Sequence, residues 1–225
     1  MQMTYEEFLL LPENHNHEIY EWINGQVVKM ARPIIQHQRI CDNLITIFKN
    51  YLYGKNCQIF SSIDVQLVDN DSPSHVSPDL CVICGVNDPT LKRYVGSPEL
   101  CIEVLSSNKD HDLVTKKRLY LENSIKEYWI VNPFDESILI NILVRKDEEY
   151  YYEESLYKLK ETKTLCPSIF PRLFVNLSIV FNTNSLSREE FLEYNIKDIF
   201  KLTKKELLKL LEKYNNEEEC NSNDV

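Results

Sequence analysis

The chain has 225 residues, 43% of them hydrophobic, which is enough for one domain of ordinary to large size with a substantial core. Acids outnumber bases 35 to 25, a net charge of −10; this excludes a generic basic nucleic-acid coat but not a nuclease, whose site needs carboxylates and only one face attractive to phosphate. With only 4 glycines there is no Gly-rich phosphate-binding loop, and no apolar run approaches the ~20 residues that cross a bilayer, so no membrane association is expected.

Seven cysteines are scattered without a regular framework, which predicts mostly buried free thiols in a reducing, cytoplasmic setting. The opening MQMTYEEFLLLPEN carries acids at once and no basic stretch, so it does not read as a signal peptide.

Thr4-Tyr-Glu-Glu7 is a capping box ahead of Phe8, Leu9 and Leu10, and predicts a short helix ended by Pro12 and Asn14. Asn24-Gly25, between EIYEWI and QVVKM, is the strongest short signal for a hairpin. After Pro33, Ile34, His37, Ile40, Cys41, Leu44, Ile47, Phe48 and Tyr51 recur at helical spacing, so an amphipathic helix is expected to about Leu52. CQIFSSIDVQLV alternates, which predicts one strand with Ile59, Ser61, Ile63 and Val65 on one face. DNDSPSHVSP reads as a loop.

Two stretches then echo each other, SPDLCVI from Ser77 and SPELCIEVLS from Ser97. Their near-continuous apolar character predicts two adjacent strands of one sheet, buried on both faces. NKDHDLVTKKRLYLENS places Asp110 and Asp112 early and Lys116, Lys117 and Arg118 late, an order that suits the helix dipole. KEYWIVNP is a further buried strand stopped by Asn132-Pro133, and SILINILVRK and EYYYEESLYKLK read as an antiparallel pair across Asp147-Glu148. The Pro-interrupted, apolar CPSIFPRLFVNLSIVF is expected to pack along an edge of the core. After Asn182 the composition changes: Ser187-Arg-Glu-Glu190 and Thr203-Lys-Lys-Glu206 are capping boxes introducing two charged helices, followed by a polar end expected to be disordered. The expected division is a core domain over 1–181 and a charged helical extension over 182–225.

The second echo holds Glu103 among Cys101, Ile102, Val104 and Leu105. A buried carboxylate is strongly disfavoured unless it is paired, protonated or metal-bound. Asp79 stands at the start of the neighbouring strand, so pairing of the two strands would bring the two carboxylates together. A divalent cation is then the natural stabiliser, and hard oxygen ligands favour Mg²⁺ or Mn²⁺ over Zn²⁺. Lys116, on the following helix, shares a face with Asp112 and Tyr120, so its ammonium can be aimed at the same place. Cys81-Val-Ile-Cys84 has metal-like spacing but lies in a strand, where side chains three apart point to opposite faces; no zinc site is expected.

Taken in order, YEWINGQVVKM, HQRI, SPDLCVI, SPELCIEVLSSN, D-LVTKKRLY and KEYWIVNP resemble the Uma2 family, a branch of the PD-(D/E)xK restriction-endonuclease-like superfamily, over roughly residues 4 to 180. The resemblance implies an α/β (α+β) fold: a central mixed sheet flanked by helices, with an N-terminal hairpin. It also implies a Mg²⁺- or Mn²⁺-dependent endonuclease acting on nucleic acid, with DNA the expected substrate. Asp79 and Glu103 fall on the motif's metal-binding acids. The superfamily's usual lysine, two residues after the second acid, is replaced here by Leu105; Lys116, four before Tyr120, falls on the family's substitute. Lys117 is the alternative lysine. Glu21, His37 and Glu127 form a second tier, the first two matching recurrent polar positions of the family and Glu127 leading a strand near the site's expected edge.

Simpler readings stand beside these. Asp79 also reads as a strand cap, Glu103 as one half of an ion pair with Lys116 or Arg118, and Lys116 as part of a solvated Lys-Lys-Arg face. Glu127 also reads as a structural salt bridge and His37 as a satisfied core histidine, while Glu99 occupies in the second echo the place of Asp79 in the first. At the level of the whole chain the alternatives are an inactive interaction module that kept the fold, or a partner-dependent subunit. Leu207, Leu208, Leu210, Leu211 and Tyr214 give the last helix an apolar side to bury, on its own core, in a homodimer or on another protein.

Overall fold

A computed structural model describes residues 4–10, 20–23, 25–30, 32–67, 73–106 and 110–181. The expected helix stop at Pro12 and Asn14, and the whole of 182–225 with both of its capping boxes, lie outside the described residues. No helix among the described residues is long and apolar enough to cross a membrane.

Helix α1 (Tyr5–Leu9) starts on the expected capping box: the Glu7 N–H donates to Thr4 Oγ1 (3.2 Å) and the Thr4 N–H to the Glu7 carboxylate (2.7 Å). Strands β1 (Tyr20–Ile23) and β2 (Gln26–Lys29) form the hairpin, closed between Ile23 and Gln26 with Gly25 at φ +77°, where a side chain would be strained. Helix α2 (Ile35–Leu52) buries His37, Ile40, Cys41, Leu44, Ile47, Phe48 and Leu52, most of the predicted stripe; Ile34, expected on it, is the exposed N-cap, and Tyr51 is half-buried.

The alternating segment that follows is two strands, not one. β3 (Cys57–Ser61) and β4 (Val65–Leu67) belong to different sheets. Between them Ser62 takes φ +49°, and its N–H bonds to the carbonyls of Pro78 and Asp79. The turn sends Ile59 and Val65 into different cores. The expected loop also yields a strand, β5 (Ser74–Val76), paired to β4 and β1. The echoing segments form β6 (Leu80–Cys84) and, after the short β7 (Tyr94–Val95), β8 (Leu100–Val104). They are neighbours, antiparallel, with Cys81 opposite Cys101. Helix α3 (Asp110–Glu122) leads into β9 (Glu127–Asn132), parallel to β8. β10 (Ser137–Lys146) and β11 (Glu149–Lys158) pair across Asp147 and Glu148, both at positive φ as the tightest hairpin turn requires. β12 (Thr164–Leu165), β13 (Val175–Asn176) and the one-turn α4 (Leu177–Val180) complete the described chain.

The central sheet has the order β11-β10-β9-β8-β6-β3 and is mixed; a second sheet has the order β2-β1-β5-β4-β7. Strand parity divides the central sheet into two faces. Leu80, Val82, Leu100, Ile102 and Val104 pack on α2 and on the C-terminal segment, whose Phe170, Leu173, Val175 and Val180 are buried. That segment therefore covers a face of the sheet rather than an edge, tied down by Asn43 Nδ2 donating to Ile179 O (2.9 Å). Cys81, Ile83, Cys101, Tyr128 and Ile130 point the other way, against α3 and the second sheet. Glu103 shares parity with Cys101, so the fold delivers its carboxylate beneath α3.

Among the described residues, the expectation of mostly buried free thiols meets one disulfide and one exposed thiol, Cys166. Cys57 and Cys84 face each other across β3 and β6 and form a disulfide, which removes the cysteine-based argument for a reducing setting. Cys41, Cys81 and Cys101 are buried thiols, as expected, and burial pushes the Cys81 thiol up to about 12.

Candidate active site

The β6–β8 ladder fixes the first contact. Leu80 is opposite Ile102, so the next positions outward are Asp79 and Glu103. Asp79 Oδ2 accepts the Val104 N–H (2.8 Å), a bond from one strand's acid to the backbone just past the other's. The same oxygen accepts from His37 Nε2 (3.0 Å), which must carry the proton because a carboxylate only accepts. One turn into α2, His37 is thus turned onto Asp79, with Cys41 Sγ 3.7 Å from its other ring nitrogen.

Helix α3 supplies the next pair. Lys116 and Tyr120, one turn apart, point into the sheet, and both donate to Glu103 Oε1, at 3.0 and 2.8 Å. The Lys116 ammonium also lies 3.0 Å from Glu21 Oε1. Glu21 comes from the hairpin strand β1, and the same oxygen accepts the Ser77 N–H (2.8 Å), two residues before Asp79. Five elements, β1, α2, the start of β6, β8 and α3, therefore converge on one cluster. Lys116 is 3% exposed, Glu103 6% and Glu21 1%.

Charge does not balance there. Two carboxylates, Glu21 and Glu103, contact the one ammonium, and a third, Asp79, lies beside Glu103. With His37 neutral the surplus is two negative charges. Burial raises the Glu103 carboxyl to about 7; Lys116 opposes the rise, while the charges of Asp79 and Glu21 add to it. Burial alone would lower Lys116, but the Glu103 and Glu21 charges outweigh it and hold the ammonium protonated well above its ordinary range. Burial also pulls His37 down, yet its hydrogen bond to Asp79 and the charges of Asp79 and Glu103 leave it raised.

The donor set suits a hard divalent cation. Asp79 uses Oδ2 and Glu103 uses Oε1 for protein donors, and their second oxygens accept no hydrogen bond from the described residues. Among the described residues no group of three or more His, Cys, Asp or Glu side chains is arranged to hold a metal ion. The remaining ligands would be water or substrate phosphate, the usual way Mg²⁺ is held.

The structure thus brings together Asp79, Glu103, Lys116, Glu21 and His37. It separates the other candidates. Lys117 points outward to an ion pair with Glu154 on β11, and Glu99 pairs with Lys126. Arg118 is exposed and pairs along its helix with Glu122, not with Glu103. Glu127 lies away from the cluster, and among the described residues it forms no salt bridge. It lies opposite Leu100, three positions along the ladder from Glu103, and shares parity with Trp129 on the other face. Its Oε1 accepts from Trp129 Nε1 (2.6 Å), and its Oε2 from the Ser168 N–H and Oγ and the Ile169 N–H. Asp112's side chain lies outside the described residues. Two participants were not foreseen from sequence: Tyr120 as a donor to Glu103, for which the Lys116–Tyr120 spacing was the available signal, and the Val104 N–H, for which there was none.

The Uma2 family model, described as "Putative restriction endonuclease", matches residues 5–178. The chain belongs to the Uma2 family. As a Uma2 protein it is similar to an uncharacterized protein of Synechocystis sp., at 30% identity over 150 residues, 65% of this chain and 76% of that one. A stretch of 90 residues, 40% of this chain but 13% of the relative, is 33% identical to the bifunctional tRNA 5-methylaminomethyl-2-thiouridine biosynthesis protein of Legionella pneumophila. The fold matches the crystal structure of a "putative nuclease belonging to DUF820" from Anabaena variabilis, with a TM-score of 0.64 over 80% of this chain and 98% of that one, at 18% identity. The mixed α/β architecture expected for Uma2 is therefore the one present.

Proposed function

We propose that this Uma2 protein is a metal-dependent endonuclease that hydrolyses nucleic-acid phosphodiesters, with DNA the first substrate to test. One observation carries the reading: two carboxylates, Glu21 and Glu103, contact one buried ammonium, and a third, Asp79, stands beside Glu103 at the end of the β6–β8 ladder. A purely structural ion pair needs one acid for one lysine. The surplus suits a divalent cation.

In this reading Asp79 and Glu103 hold Mg²⁺ or Mn²⁺, which when bound supplies Lewis acidity to a phosphoryl oxygen and a more acidic water. Lys116 keeps a fixed positive charge beside them, to hold the attacking water or oppose the charge growing on phosphate. Glu21 positions that ammonium, His37 holds Asp79 and Tyr120 holds Glu103. All three arrangements exist before any substrate arrives, so little reorganisation is needed at reaction.

The test is calorimetric titration of Mn²⁺ into the protein and its Glu103→Gln variant, with and without an oligonucleotide, followed by a cleavage screen on DNA and RNA. Metal binding and cleavage present in the parent and absent in the variant are expected. The rival reading is an interaction module whose Glu103 is satisfied by Lys116 alone, favoured by the 3.0 Å contact between them. No metal binding by either protein, even with oligonucleotide, would establish the rival.

A further inference from the structure

Residues 85–93, which join β6 to β7, close a cleft of about 410 Å³ over the far end of the central sheet. Ile83, on its floor, is four residues along β6 from Asp79, about 13 Å at a strand's ordinary rise; Phe60 and Ile63 lie nearer, but no residue of the acid cluster lines the cleft. Its volume lies within the range of small-molecule sites.

The lining is mixed in a particular way. Phe60 from β3 and Tyr94 from β7 bring aromatic rings, and Leu91 closes the apolar wall. Asn87 offers an amide, both donor and acceptor. Lys92 and Arg93 bring cations to the same cleft, and Arg93 Nε lies 3.5 Å from Asp64, which fixes its direction. The one acid in the lining, Asp88, is occupied by its own loop: its Oδ1 accepts from the Thr90 N–H (2.9 Å) and Oγ1 (2.6 Å). Asp64, outside the lining, also faces His75 Nδ1 at 3.1 Å.

We propose that this cleft binds one nucleotide unit, its base stacked on the aromatic side and its phosphate at Lys92 and Arg93. A flat ring with hydrogen-bonding edges and an attached anion uses every part of the lining. An acyl chain has no polar or anionic atom to meet the amide or the two cations. The site goes beyond phosphodiester cleavage and stands without it.

The experiment uses the full chain carrying Glu103→Gln, so that any nuclease activity does not consume the probe. The four nucleoside 5′-monophosphates and a short single-stranded oligonucleotide are titrated by ligand-observed NMR. Binding of at least one monophosphate, at about 1 mM or tighter, is expected. It should weaken at least tenfold in Leu91→Asp and Lys92→Glu, whose positions are exposed and whose fold circular dichroism would verify. An oligonucleotide binding more than tenfold tighter than any monophosphate identifies the occupant as part of a strand; equal affinities identify a free nucleotide. No binding by any probe, or binding that survives both substitutions, overturns the proposal. Cleavage by the parent is scored separately, so a failed nuclease reading and a failed nucleotide site give different results.

Discussion

Two glutamates sit in adjacent strands of the central sheet, both buried, and they solve burial in opposite ways. Glu127 is surrounded by neutral donors: an indole N–H, a hydroxyl and two backbone N–H groups. Those donors satisfy both of its oxygens without adding charge, and they clamp the C-terminal segment to β9. Glu103 instead meets an ammonium and a phenol, with two more carboxylates close by. Its surroundings leave charge unbalanced. Burial of an acid is therefore not by itself a functional signal; the charge balance around it separates an anchor from a candidate ligand.

The sharpest break of this comparison is Glu103→Gln. It keeps the shape and one oxygen, and should lower metal-dependent cleavage by at least about 10³-fold, or about 4 kcal/mol of barrier, in a plasmid-nicking assay. Next in size is Lys116→Met, which leaves Glu21 and Glu103 buried without their cation. Urea unfolding should report a loss of about 3 kcal/mol or more, with cleavage lost as well. A stability close to the parent's would mean that the carboxylates are protonated or hydrated and that the cluster is looser than its geometry.

The pH dependence tests the same imbalance. Glu103's folded value, about 7, stands above the ordinary 4.5, so between them the folded state holds the proton more tightly. Its contribution to stability is present below about 4.5 and is lost as pH rises through about 7. Measured as parent minus Glu103→Gln, metal-free, the loss should reach about 3 kcal/mol by pH 8. Added Mg²⁺ should restore it in the parent and not in the variant. Glu127→Gln gives the opposite pattern: its one carbonyl oxygen can no longer accept from both Trp129 and the Ser168–Ile169 donors, so stability should fall by about 2 kcal/mol while cleavage per folded molecule stays near the parent's.

What could be read from the sequence was whatever local rules decide. The capping box at Thr4, the hairpin at Gly25 and most of the buried stripe of α2 follow from spacing within a few residues, whereas the preference for Lys116 comes from the family resemblance and leaves Lys117 open. The failures share one cause. The split of β3 from β4 depends on Ser62 meeting the carbonyls of Pro78 and Asp79. The Cys57–Cys84 bond joins residues 27 apart, and Glu127's role depends on partners 41 and 42 residues away. Each is set by a pairing that the chain's own periodicity does not encode. Asp79 and Glu103 escaped this limit because their two strands announce each other in sequence.

Tyr120→Phe is the finest probe of the difference between the two glutamates. It removes one donor from Glu103 and leaves the ring packed edge-on against Tyr128 (4.9 Å between centroids). The lost hydrogen bond should lower stability by only about 1 kcal/mol. Its direction matters more than its size. The phenol's hydrogen bond lowers the Glu103 pKa, so removing it should push that carboxyl further up. If ionised Glu103 is the form that binds metal, the acid limb of the pH–rate profile should move to higher pH in the variant, while the rate at high pH changes little. If Glu103 only pairs with Lys116, stability falls slightly and no activity profile moves. A single hydroxyl therefore distinguishes a carboxylate that works through its ionisation from one that merely tolerates burial.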